Sequence, residues 1–360
     1  MMRITRLNGG NYVLAPTENS WESLGTSNSG GVFLSATSDM LRLLSTALEQ
    51  DITGDAALRD GLVVSLYTAN GTTAEDPVRR QRKGLAVFTP ALELRYRKAS
   101  PVLSPDTGSG AVDSLGIEDA RVTYHDGQFS IWYCGYNGEK GVPCAAHSRD
   151  LITWVKQVPL PGDIGQHENK DHVIFPEAFA GKWWMLHRPW GREIPDANDY
   201  VIRLASAPSL QGPWTDEGEL LRGLPAPGKR VSWVGGGAPP LRIGEGRYFI
   251  LYHNGCFFLD GRRRYEGCAA IVDLNALRKG NAARAVTHRL EPFFEPETGQ
   301  ETSEGQRIDI VFPMSAHVWR DDLYYLYGAG DTATCAARVD FGQALRLVEQ
   351  ATTAKEQKRY

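Results

Sequence analysis

Glu118-Asp119-Ala120-Arg121 sets two carboxylates and a guanidinium at the head of the apolar run Val122-Thr123-Tyr124. Side chains alternate along a strand, so the two acids are expected on opposite faces, with Asp119 and Arg121 sharing one. A carboxylate beside an arginine is a candidate general acid, a substrate anchor, or half of a structural ion pair at a strand start. A second group, Asn169-Lys170-Asp171-His172, is followed by His187-Arg188. Cations with few acids near them suit an oxyanion such as phosphate. Lys170 alone reads as a solvated loop lysine, and its coincidence with His187, Arg188 and His253 is what argues for a site. Trp233-Val234-Gly235-Gly236-Gly237 leads on to Tyr252-His253-Asn254. Consecutive glycines there let backbone approach a ligand, and His253 offers a donor to a hydroxyl or a phosphate. Asp331, in Gly328-Ala329-Gly330-Asp331, is placed to accept from two hydroxyls of one sugar.

These groups lie far apart in sequence, and an internal repeat is what brings them together. Five times a turn built on Gly, Asp or Glu feeds an aromatic run, at Gly61, Gly127, Gly181, Gly246 and Asp322, with separations of 66, 54, 65 and 76 residues. Apolar residues alternate within the runs, as in Phe129, Ile131 and Tyr133, or Tyr248, Ile250 and Tyr252, a period of two that marks strands. One strand before and one after each run recur as well. The upstream copies are read at 119–122, 174–177, 237–240 and 311–314, and the downstream copies at 84–87, 144–147, 204–206, 268–271 and 335–338. Such spacing fits a four-stranded sheet with its loops. The expected fold is therefore all-β, a five-bladed β-propeller whose inner strand ends converge on one pocket. A single domain over 1–350 and a frayed tail over 351–360 are expected. Met40, Leu41, Leu43, Leu44, Ala47 and Leu48 instead fall at helical spacing and predict an inserted N-terminal helix over 38–50 with Ser38 as its N-cap. That helix is read as covering the core, with a subunit contact, and hence a homo-oligomer, as the alternative.

Composition removes several function classes. A formal charge of −4 over 360 residues supplies no basic face for nucleic acid. No apolar run approaches the roughly 18 to 20 residues that cross a bilayer, and residues 1–8 lack the apolar centre of a signal peptide. A cytoplasmic protein without a membrane partner is expected. Five cysteines, none in a CxxC pair, read as small buried residues rather than zinc ligands or disulfides. HExxH and GxSxG are absent, and Gly235-Gly236-Gly237 runs into Ala238-Pro239-Pro240 rather than a helix, which argues against a dinucleotide site. No cofactor or metal is expected.

Taken in order, EDARVT (118–123), NKDHVIFPE (169–177), LHRP (186–189), GGGAPP (235–240), YHN (252–254), YEG (265–267) and YGAGDT (327–332) resemble glycoside hydrolase family 130, over about residues 28–340. The resemblance implies a five-bladed propeller acting on β-mannosides, many members being inverting phosphorylases. It implies Asp119 as the sole protein proton donor, acting through the mannose 3-hydroxyl, with Asn28, Ser29 and Asp331 on the mannose. Arg82, Lys170 and His253 match basic positions around inorganic phosphate, and Arg121 and Arg188 are read as further substrate contacts. Phosphate would attack C1 from the face opposite the leaving group and give α-mannose 1-phosphate. Since phosphate is itself the nucleophile, no second carboxylate is needed. The expected partners are a mannose-containing oligosaccharide and inorganic phosphate.

Three departures stand against that pattern. Tyr67-Thr68-Ala69 occupies the place of Tyr-Arg-Ala in the family's phosphorylases, losing a cation that Arg79 or Arg80 would have to replace from a loop. Ala120 replaces a proline, and the inserted helix interrupts the stretch between Asn28 and Tyr67. The family also contains mannosidases in which acids activate water, and Glu118, Glu168 or Glu304 would be the base of such an enzyme here. Lys170 and His253 favour phosphorolysis, while Thr68 favours hydrolysis. A propeller that binds glycans without turning them over is the third reading.

Overall fold

A computed structural model of the chain describes residues 3–194, 196–224, 228–303 and 307–351. As the alternating runs require, the regular structure of the described residues is mostly β-strand, with two α-helices. A short N-terminal strand, Thr5–Arg6 (β1), and the strands that follow it hydrogen-bond into sheets of eight, four and ten strands, within which the antiparallel ladders fall into five successive units. The first is Gly25–Leu34 (β2), Leu62–Gly71 (β3), Arg80–Phe88 (β4) and Leu94–Arg97 (β5). The second is Gly116–His125 (β6), Gln128–Tyr136 (β7), Gly141–Ser148 (β8) and Val155–Gln157 (β9). The third is Asn169–Ile174 (β10), Trp183–Pro189 (β11), Ile202–Ala207 (β12) and Thr215–Leu221 (β13).

The fourth unit has Lys229–Gly236 (β14), with Leu241–Gly244 (β15) beside it, both paired to Arg247–Phe258 (β16), then Arg263–Asp273 (β17) and Val286–Phe294 (β18). Thr302–Ser303 (β19) pairs with Ile308–Trp319 (β20), which opens the fifth unit and is followed by Asp322–Ala329 (β21) and Ala333–Asp340 (β22). The outer partner of β22 is β1, so the chain start completes the last unit. All five aromatic runs are the second strands of their units. Each follows a turn in which a residue has positive φ, at Gly61, Gly127, Gly181, Gly246 and Asp321.

Apolar faces of neighbouring units pack in pairs. One cluster joins Val64 and Leu66 to Ile131 and Tyr133, a second joins Trp132 to Met185 and Trp214, and a third joins Leu186 and Leu204 to Ile250 and Tyr252. A fourth joins Phe249 and Ile271 to Tyr325 and Tyr327, and a fifth returns from Leu326 and Ala336 to Val63 and Tyr67 of the first unit. Two of the upstream strands stop earlier than their sequence suggests, at Ile174 and Gly236. Pro176, Pro239 and Pro240, beyond these ends, carry no N–H for a ladder.

The inserted helix, α1, runs over Ser38–Leu48. Its N-cap is Thr37 rather than Ser38: Thr37 keeps extended backbone, and its hydroxyl accepts from Met40 N at 3.2 Å. It buries Met40, Leu44, Ala47 and Leu48 against the first two units, the core-covering arrangement. A second helix, α2 (Phe341–Gln350), was not foreseen. Asp340 caps it, and Ala344 and Val348 are buried among the fourth and fifth units. The tail expected at 351–360 lies, apart from Ala351, outside the described residues. Among the described residues no helix is long and apolar enough to cross a membrane.

Candidate active site

Three residues interrupt the ladders at corresponding points of the first three units. Asn28 (φ +49°), Asp119 (φ +50°) and Asp171 (φ +57°) are left-handed, and each sits where register slips: between Ser27 and Gly30, Glu118 and Arg121, and Lys170 and Val173. A bulge of this kind inserts one residue and re-aims the side chains beside it, and Asn and Asp tolerate the left-handed region best after glycine. Strict alternation therefore fails at the point where the chemistry is. Glu118 and Asp119 both line one cavity of about 320 Å³, as do Lys170 with Asp171 and Ser27 with Asn28. The expectation of one acid on each face of the sheet is corrected by the bulge.

Asp119 is positioned by Asn28, whose Nδ2 donates to Oδ1 at 2.6 Å. Lys170, Arg188, His253 and Asp331 line the same cavity, so blade-like units distant in sequence do meet there. Lys170 donates to Glu118 Oε2 at 3.0 Å and lies 4.5 Å from the centre of the Trp190 ring. Burial opposes its charge, but the carboxylates of Glu118 and Asp119 outweigh this and hold its pKa above the ordinary lysine value. Gln81 Nε2 holds the other Glu118 oxygen at 3.0 Å. Arg188 Nε donates to Asp171 Oδ2 at 2.7 Å. For Asp171, burial again opposes ionisation, and Arg188, His253 and Arg121 prevail, holding its carboxyl well below the usual range.

His253 differs from the cation the sequence suggested. Burial pulls its imidazole down to about 3 despite Asp171 Oδ2 at 3.9 Å, so it is neutral at pH 7. Among the described residues neither ring nitrogen has a hydrogen-bond partner, leaving one donor and one acceptor for a ligand. Gly235 makes room for this arrangement: a Cβ there would fall 2.1 Å from Asp171 Oδ2 and 2.4 Å from His253 Cε1. Its glycines thus admit site side chains rather than a ligand, since none of Gly235, Gly236 and Gly237 lines the cavity.

The cavity also holds more acid than the sequence implied. Glu118, Asp119, Asp171 and Asp331 face Arg79, Lys170, Arg188 and Arg263, and two of those cations are tied up by Glu118 and Asp171. Arg79 and Arg263 are the less neutralised. Arg79 Nε donates to Asn70 Oδ1 at 2.8 Å; Arg263 donates to the Tyr265 hydroxyl at 2.7 Å and stands 3.7 Å from Asp331 Oδ2.

Other expected contacts stand behind the wall. Arg121 is fully buried, donating to the carbonyls of Gly237 (3.0 Å), Gly236 (2.6 Å) and Asp119 (2.8 Å). It joins the second and fourth units beneath Asp119 and is not among the cavity-lining residues. Ser29 is buried with its hydroxyl 2.7 Å from that of Thr334. Arg82 donates to Gly71 O at 3.0 Å and to Asp76 at 2.8 Å, and Arg80 also pairs with Asp76, so of the candidate loop replacements only Arg79 reaches the cavity. Thr68 lines it, and the buried Lys83 donates to Thr68 Oγ1 at 2.6 Å. Of the alternative bases, Glu118 lines the cavity, Glu168 is buried off it and accepts from Arg192 N at 2.8 Å, and Glu304 lies outside the described residues. Among the described residues no group of three or more His, Cys, Asp or Glu side chains could hold a metal.

The family model described as beta-1,4-mannooligosaccharide phosphorylase matches residues 75–350. The chain belongs to glycoside hydrolase family 130. A family relative, the 1,2-beta-oligomannan phosphorylase of Thermoanaerobacter sp. (strain X514), is 27% identical over 338 residues, 92% of this chain and 95% of the relative. In three dimensions the family 130 fold is shared with the beta-1,2-mannobiose phosphorylase of Listeria innocua in complex with beta-1,2-mannobiose, at a TM-score of 0.72 and 22% identity over 97% of this chain and 99% of that one. A further structure, from work describing family 130 glycoside hydrolases that target beta-1,2 mannosidic linkages in Candida mannan, matches at a TM-score of 0.69 and 22% identity, covering 94% and 93% of the two chains. Phosphorylases and hydrolases thus stand side by side in family 130, on one fold.

Proposed function

We propose that this protein cleaves β-mannosides by inverting phosphorolysis, releasing α-mannose 1-phosphate and a saccharide shortened by one mannose. The five units are read as the blades of a propeller over 1–350, closed by β1 on β22, with the cavity at its mouth. One observation carries the functional reading: Asp119, fixed by Asn28, shares a cavity with Lys170, Arg79, Arg263 and a neutral His253. The relatives named above as phosphorylases support it.

In this mechanism Asp119 supplies the proton that reaches the leaving oxygen by way of the mannose 3-hydroxyl. A phosphate oxygen bonds to C1 from the opposite face as the C1–O bond breaks, which inverts the anomeric centre. Arg79, Arg263 and Lys170 hold the charge of the incoming anion, already in place before the reaction and partly shielded from water. His253 donates one hydrogen bond without adding charge. Asp331, beside Arg263, accepts from mannose hydroxyls.

One feature favours hydrolysis as a second reading. Glu118 lies next to Asp119 in the cavity, where a second carboxylate would activate water. Lys170 and Gln81 already engage both its oxygens, which favours a positioning role for it instead. The two readings separate when β-1,2- and β-1,4-mannobiose are incubated with and without inorganic phosphate. Phosphorolysis gives mannose 1-phosphate that appears only with phosphate; free mannose at equal rates in both mixtures would refute it.

A further inference from the structure

Lys83 is the one lysine among the described residues with no exposed surface, and no carboxylate bonds to it. It lies on β4 directly opposite Thr68 of β3, and Thr68 in turn lies opposite Ser27 of β2. Three adjacent strands thus carry a polar row, Ser27-Thr68-Lys83, of which the first two members line the cavity and the third is sealed beneath it. Among the described residues the ammonium makes one hydrogen bond, to Thr68 Oγ1 at 2.6 Å.

Hydrogen-bond chemistry fixes what this does to Thr68. In its charged form the Lys83 ammonium only donates, so the threonine oxygen then accepts, and its own proton is left for another partner. Among the described residues the Thr68 hydroxyl makes no other hydrogen bond, and Thr68 lines the cavity. A buried ammonium is costly without a paired anion, and a methionine of similar shape would pack here without that cost. Burial lowers the affinity of Lys83 for its proton to a pKa of about 7, with Asp119 and Glu118 raising it and Arg121 adding to the lowering. Ionisable groups held in such unfavourable settings cluster at functional sites.

We infer that Lys83 is a positioning residue for the anionic co-substrate: it turns the Thr68 hydroxyl into a polarised donor aimed into the cavity, where that proton bonds an oxygen of phosphate. The inference rests on the proposed phosphorolysis. It adds a donor that carries positive charge at its back without exposing a cation to the sugar.

The test uses the full chain and four variants, Thr68→Val, Thr68→Ser, Lys83→Met and the double Thr68→Val/Lys83→Met. KM values for phosphate and mannobiose are measured separately, and phosphate binding is followed by calorimetry. Thr68→Val and Lys83→Met are each expected to raise the phosphate KM and Kd about tenfold, the loss of about one hydrogen bond to a charged group. The mannobiose KM should stay within about twofold. Thr68→Ser keeps the hydroxyl and should remain close to wild type, and the double variant should be no worse than either single one because the two residues act as a unit. A phosphate Kd unchanged by Thr68→Val, or single effects that multiply in the double variant, overturns the inference. If Lys83→Met does not fold, the Thr68→Val and Thr68→Ser pair still decides. Wild-type turnover that ignores phosphate refutes the proposed function separately, and absence of any phosphate binding to wild type refutes both.

Discussion

Asn28 and Asp119 meet through a 2.6 Å hydrogen bond, each from a left-handed bulge, one in the first unit and one in the second. Two left-handed backbones are used to bring a single donor onto one oxygen of a carboxylate that lines the cavity. Asp119→Asn is expected to lower kcat by about 10² to 10⁴, the usual worth of a general acid, on mannobiose with saturating phosphate. Asn tolerates the same backbone, so the melting temperature should stay within a few degrees of wild type. Near-full activity in the variant would remove Asp119 from the proton donor's role.

Gly328 lies against the far side of that contact. A Cβ on residue 328 would fall 2.2 Å from Asn28 Oδ1, so Gly328→Ala must push the amide away from its place. We expect kcat to fall about tenfold with little change in either KM, because the variant touches neither substrate and disturbs only the acid's support. A variant with wild-type kcat would show that Asn28 does not position Asp119.

Asp171 anchors the basic half of the cavity. It is 1% exposed and pairs with Arg188 at 2.7 Å and Arg121 at 3.5 Å. Asp171→Asn leaves two buried guanidiniums without their shared anion, and breaking such a group costs about 3 to 5 kcal/mol. Urea unfolding of the variant at pH 7 measures this. A loss below about 1 kcal/mol would mean that the ion pairs are replaceable by water or by the neighbouring carbonyls.

Acid should destabilise the protein earlier than carboxylate titration alone would. His253 titrates at about 3 when folded and has an ordinary value of 6.5, and His317, whose ring is buried, is lowered to about 4. Between these values the unfolded chain binds protons that the folded chain refuses, so stability falls as pH drops from 6.5 towards 3. Asp171 acts in the same direction lower down: its depressed pKa contributes stability that is complete above the ordinary carboxylate value and is lost as pH falls through the folded one. For His253 the loss reaches about 2 kcal/mol at pH 5. Replacing it by Asn should flatten the stability profile between pH 7 and 5 by nearly one proton. A profile as steep as that of wild type would contradict its burial as a neutral ring.

Much of the framework was legible because it is local and periodic. Alternating runs such as Phe129, Ile131 and Tyr133 located all five second strands, and the apolar spacing of Met40, Leu44 and Leu48 located α1. The amphipathic spacing of Phe341, Ala344, Leu345 and Val348 would have located α2 in the same way. The cavity lining was legible in part as a set of residues but not as a geometry. Asp119, Lys170, Arg188, His253 and Asp331 stood out in the sequence and line the cavity, whereas the anchoring role of Asp171, the presence of Gln81 and Arg263 and the reach of Arg79 did not. A bulge changes which neighbours share a face, and its trace here is only an Asn or Asp at the corresponding place in three units. Arg82 and Arg121 look like ligands in sequence, yet the fold spends them on Asp76 and on glycine carbonyls. Thr68 read as the loss of a cation because the buried Lys83 opposite it, fifteen residues on, is visible only once β3 and β4 pair.

Under the proposed phosphorolysis phosphate, and not water, forms the new bond to C1. Turnover of mannobiose in ¹⁸O-labelled water with inorganic phosphate tests it directly by mass spectrometry and proton NMR of the products. Phosphorolysis yields α-mannose 1-phosphate and mannose, neither gaining ¹⁸O from the chemical step. Free mannose carrying ¹⁸O at C1 in place of the sugar phosphate would contradict it.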